Sequence, residues 1–80
     1  MRVLSYTVLF EPQPEGGFTV VVPALPGCVT EGETIEEARR MATDAIRAYL
    51  ESLVADGEEI PPDVAELPHH ERLKIEFARG

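Results

Sequence analysis

The chain has 80 residues, 44% of them hydrophobic and 28% charged, with 15 acidic against 7 basic side chains and a net charge of −8. This is room for a single domain over residues 1–80, and a chain of this size buries only about 60 to 65% of its unfolded surface, so its stability is small or shared with a second subunit. The composition excludes a disordered chain, the single cysteine excludes an internally stapled secreted scaffold, and no apolar run approaches the roughly 18 residues of a membrane span.

The charge also argues against nucleic acid as a direct partner. The cations Arg2, Arg39, Arg40, Arg47, Arg72, Lys74 and Arg79 are scattered along the chain, mostly beside acids, whereas a nucleic-acid surface needs them clustered. A basic protein partner fits the balance better. With no cleavage site after the opening residues, the expected location is the cytoplasm.

In chain order, "MRVLSYTVLFE" alternates and predicts a strand with Leu4, Tyr6, Val8 and Phe10 on one face. "PQPEGG" predicts a hairpin connection, because its prolines and glycines supply turn geometry. "FTVVVP" is the second strand, "ALPG" a turn and "CVTEG" a short third strand, together an antiparallel meander. The period then changes: Ile35, Ala38, Met41, Ala42, Ala45, Ile46, Tyr49, Leu50, Leu53 and Val54 fall at helical spacing from Ile35 to Asp56. Thr34 and Glu37 have the spacing of a capping box, and Gly57 suits a left-handed cap at the far end. Glu36–Arg40 and Arg47–Glu51 are spaced for ion pairs on the solvent face. "EEIPPDVAELPHH" is an extended acidic connection, and "ERLKIEF" alternates as a last strand.

This order, βββαβ, predicts an α+β fold. A right-handed crossover through the helix would lay the fourth strand parallel to the third and first, on the free edge of strand one, giving the sheet order 3-2-1-4. The helix then covers one face, and Val3, Leu9 and Val21 point out from the other.

Chemistry-bearing residues are few. Cys28 lacks a base nearby in sequence and is read as a small buried apolar residue. His69 and His70 are adjacent in an extended segment and point to opposite sides, which suits solvated loop histidines better than metal ligands. The carboxylates lie at strand ends, in loops and on the outer helix face, not in a strand-centred cluster able to hold catalytic metals. No catalytic residue, metal or cofactor is expected, and the chain is read as a binding module rather than an enzyme.

From Tyr6 to Pro62 the sequence resembles the HicB-like antitoxin family. The features that carry the resemblance are the aromatic hairpin ending at Pro23, "LPGC" at Leu25–Cys28, the "EGET" step, the "EEA" helix start, and Gly57 followed by "IPP". The resemblance implies a partial ribonuclease-H-like fold without its catalytic acids. It also implies a partner, a small basic HicA-like toxin that cleaves mRNA and is covered by the antitoxin. Two departures stand out: Ala24 follows the proline where the family commonly has an acid, and the sequence stops at Gly80 where many members continue into a helix-turn-helix or ribbon-helix-helix module. Autorepression by this chain alone is therefore not expected, and an orphan self-assembling domain that binds another protein or ligand is the alternative reading. Glu31 and Glu33, at the exposed strand-to-helix rim, are the expected partner contacts. Tyr49, Leu50, Leu53 and Val54, on helical turns that overhang the sheet, are the expected contacts of a homo-oligomer.

Overall fold

The computed structural model describes residues 2–64 and 71–77. Its elements are β1 (Arg2–Pro12), β2 (Phe18–Val21), β3 (Val29–Gly32), α1 (Ile35–Ala55) and β4 (Glu71–Phe77). The strands form one sheet in the order β3-β2-β1-β4, with α1 against one face. Alternation decides what each strand contributes to the core: Tyr6, Val8, Val20, Val22 and Ile75 are buried on the side that meets Ala38, Ala42, Ile46 and Leu50, one side chain from each successive turn of the helix.

Each turn has the predicted chemistry. In the hairpin, Gly16 and Gly17 adopt φ of 101° and 79°, and the Gln13 N–H donates to the Gly17 carbonyl at 3.0 Å. Between β2 and β3 the Cys28 N–H donates to Leu25 O at 2.9 Å, and the Val22 N–H to Cys28 O at 3.1 Å. Leu25 is buried there, so the turn is pinned to the core.

The helix begins at the N-cap Thr34, whose hydroxyl accepts the Glu37 N–H at 3.1 Å. The Glu37 carboxylate reaches one residue further back than a standard capping box and accepts the Glu33 N–H at 2.7 Å. At the other end the Gly57 N–H donates to Val54 O and the Glu58 N–H to Leu53 O, with Gly57 at φ 72°; this is a Schellman motif. The solvent-face ion pairs differ from those expected. Arg40 meets Glu37 at 3.8 Å and Arg47 meets Asp44 at 3.3 Å, so spacing alone did not choose among several acids within reach.

One expectation is corrected. β4 takes the predicted place beside β1 but runs antiparallel to it, with Arg2 opposite Phe77 and Val8 opposite Glu71. A compact crossover would have returned the chain parallel. Here the connection is long enough to climb back along β1: the Tyr6 hydroxyl donates to Pro61 O, and Asp63 accepts from the Thr7 N–H and hydroxyl at 2.8 Å each. The chain thus re-enters the sheet near Val8 and descends. Among the described residues no helix is long and apolar enough to cross a membrane.

Candidate acidic partner-binding cleft

The β2–β3 register places Phe18 opposite Gly32 and Thr19 opposite Glu31, which brings the hairpin tip to the point where β3 passes into the helix. Between them lies an open cleft of about 520 Å³, lined by Gln13, Glu15, Phe18, Thr19, Glu31 and Glu33 among others, with Glu37 and Met41 from the first turns of α1. Glu15, Glu31 and Glu33 are exposed and Glu37 is half-buried. None of the described residues lining this cleft carries positive charge, and although Arg40 beside it offsets part of the charge of Glu37, the remaining carboxylates give it a negative field that attracts cations.

Gly32 makes this junction possible. A Cβ there would stand 2.5 Å from the Ala38 nitrogen and 2.7 Å from its Cα, so only a residue without a side chain lets the helix start this close to the strand. Glu37 then ties the Glu33 backbone to the helix, and the acidic rim is held on two regular elements.

Glu31 and Glu33, the expected partner contacts, both line this cleft. Glu15 and Glu37 join them, having been read as a turn residue and a capping residue. Their signal lay in the strand register, which folds the hairpin tip onto the helix start and is not visible along the chain.

The four helix residues expected at an oligomer contact separate. Leu50 is 0% exposed and is corrected to a core residue: it is the last of the buried series facing the sheet. Tyr49, Leu53 and Val54 are half-buried and pack, with Ile60 of the connection, against the core; the Tyr49 hydroxyl also donates to Pro26 O at 2.9 Å. On the outer sheet face Leu9, Val21 and Val29 form a cross-strand row, with Val29 the most open at 56% exposure.

Cys28 is buried, and burial pushes its thiol pKa up, the state of an inert packing residue. Among the described residues no three His, Cys, Asp or Glu side chains group as a metal set. His69 and His70 lie outside the described residues. A second, smaller cleft of about 240 Å³ lies between β1 and the returning connection, lined by Leu4, Tyr6, Ile60, Pro61 and Asp63 among others.

Comparison with known proteins adds three findings. The family model described as the HicB_like antitoxin of bacterial toxin-antitoxin system matches residues 6–78. A UPF0150 protein of Thermoplasma acidophilum is 49% identical over 63 residues, 79% of this chain and 91% of that protein; antitoxin HicB of Escherichia coli K12 is 38% identical over 58 residues, 72% of this chain but 42% of that one. In structure, the N-terminal domain of Burkholderia pseudomallei antitoxin HicB superposes with a TM-score of 0.74 at 20% identity, over 91% of this chain and 96% of that one. A chain of a toxin-antitoxin complex from Streptococcus pneumoniae reaches 0.75 at 16% identity, over 96% of this chain and 70% of that one. At these identities the two structures establish the shared fold.

Proposed function

The chain belongs to the HicB-like antitoxin family, and we propose that it acts as a non-enzymatic inhibitor which holds a small basic HicA-like toxin at the acidic cleft. The observation that carries this reading is the convergence of Glu15, Glu31, Glu33 and Glu37 on one open cleft with no cation in its described lining. A toxin that cleaves mRNA must present cations to phosphates, and a surface of fixed carboxylates competes for those same cations. Neutralisation is then occlusion: the cationic face that would meet RNA is covered by protein.

The test begins with capture of the toxin from the source cells on the tagged chain, and with measurement of its mRNA cleavage with and without the chain. A small basic ribonuclease should be captured and silenced. Its association rate should fall as salt rises, and the pair Glu31→Gln and Glu33→Gln should lower that rate by about tenfold at low salt. A salt-independent rate, or a captured protein whose cleavage is unaffected, overturns the reading.

Self-assembly is the second reading. It is favoured by the outer row Leu9–Val21–Val29 and by the half-exposed Tyr49, Leu53 and Val54, two apolar areas that a chain this small leaves in contact with water.

A further inference from the structure

We propose that the open edge of β3 takes up an extended basic segment as a fifth strand of the sheet. This rests on the reading of the chain as the holder of a basic protein, and it names how the two main chains meet.

The hydrogen-bond alternation of the sheet shows which groups are available. The Val22 N–H donates to Cys28 O, so in the β2–β3 ladder Cys28, Thr30 and Gly32 turn their backbone groups toward β2. Val29 and Glu31 therefore turn theirs outward. β3 is the end of the order β3-β2-β1-β4, and among the described residues no partner takes those outward groups. The next outward donor, the Glu33 N–H, is already taken by Glu37 at 2.7 Å. The available edge therefore runs from Val29 to Glu31 and stops at the helix start.

The two edges of the sheet are treated differently. β4 carries Arg72 and Lys74, and its outward carbonyl at Glu76 accepts the Arg47 Nε–H at 2.9 Å. Edge cations and an occupied carbonyl are ordinary protection against strand addition. β3, "VTEG", has no cation and no proline, and its Val29 is 56% exposed.

The register specifies the occupant. On the outer face Leu9, Val21 and Val29 form one row, and Glu11, Thr19 and Glu31 form another. An added antiparallel strand extends both rows, so it needs an apolar side chain beside Val29 and a basic one beside Glu31, two residues apart. Glu33 and Glu15 in the adjoining cleft extend the preference for positive charge. A second copy of this chain fits poorly: each copy carries a net charge of −8, and pairing β3 with itself about Thr30 sets Val29 of each copy beside Glu31 of the other, which supplies neither the apolar neighbour nor the cation.

The probe is a blocked peptide, Val-Thr-Lys-Thr-Val-Thr-Lys, titrated into the full chain. Amide exchange at Val29 and Glu31 should slow on binding. Backbone N-methylation of the peptide at its Val and Lys positions removes the amides that face β3 and should weaken binding by about tenfold or more; methylation at the Thr positions should change it little. Glu31→Pro deletes one outward N–H without costing a ladder bond, and should bind the peptide more weakly than Glu31→Gln, which matches it in charge. If the proline variant does not fold, the methylated pair on the unaltered chain decides.

Equal binding of the two methylated peptides, unchanged exchange at Val29 and Glu31, or no binding of the peptide overturns the proposal. So does slow exchange at those amides in the free chain that disappears on dilution, because a second copy then holds the edge. Toxin association that is salt-sensitive but leaves both amides unprotected refutes strand addition and leaves the inhibitor reading intact, whereas toxin cleavage unaffected by the chain refutes that reading itself.

Discussion

Asp63 is the residue that fastens the returning connection to the sheet. Its carboxylate accepts the Thr7 N–H and the Thr7 hydroxyl at 2.8 Å each and lies 3.3 Å from the Arg72 guanidinium. Thr7 is 0% exposed, and its N–H points to the side of β1 that β2 has already left, so without Asp63 it would be a buried donor lacking a partner. Partial burial pushes the Asp63 carboxyl pKa up, but the hydrogen bonds from Thr7 and Val64 and the charge of Arg72 outweigh it and hold it below the ordinary value. A depressed folded pKa contributes stability above the unfolded value, about 3.9, and that contribution is lost as the pH falls through the lower folded value. Asp63→Ala should therefore destabilise the fold by about 1 to 3 kcal/mol at neutral pH. It should also remove the acid-dependent loss in that window. Urea melts of both proteins under stepwise acidification check this, and parallel pH profiles would count against Asp63 as the titrating clip.

At the scale of elements, the junction of β3 with α1 depends on close approach. Gly32→Ala drives a Cβ to 2.5 Å from the Ala38 nitrogen, backbone that cannot swing aside, so it should cost about 1 to 3 kcal/mol. It should also displace the rim that carries Glu31 and Glu33. Thermal melts and partner affinity should both fall, and retention of both would show that the helix start can shift freely. The elements themselves were legible because their causes are local: alternation in Leu4–Phe10, helical spacing from Ile35, a Thr34 cap and a Gly57 stop. The direction of β4 was not. It follows from contacts such as Thr7 with Asp63, 56 residues apart, and in the sequence Asp63 is one acid among several beside prolines. The acidic cleft was half legible for the same reason. Glu31 and Glu33 are neighbours along the chain, whereas Glu15 and Glu37 reach them through strand register.

For the whole molecule, the longest dimension is 40 Å, while four-residue strands such as β2 and β3 span only about 13 Å. β1 and α1 therefore project beyond the middle of the sheet, at the end where Tyr49, Leu53 and Val54 are only half covered. If that end is the self-assembly contact, sedimentation at micromolar concentration should give a homodimer or larger even-numbered oligomer, and Leu53→Asp should lower the mass. An unchanged mass moves the contact to the Leu9–Val21–Val29 face, and a monomer mass in the parent protein refutes self-assembly. The antiparallel β1–β4 pair also orders events in time. β1 is made well before its second partner, which begins at Glu71. The hairpin tip, β3 and the first turns of α1 are joined by near-neighbour contacts that close early at small entropic cost. The surface proposed to meet the toxin is thus built from contacts that can close before β4 is made, while the opposite flank of β1 stays open until Glu71 and the residues after it arrive.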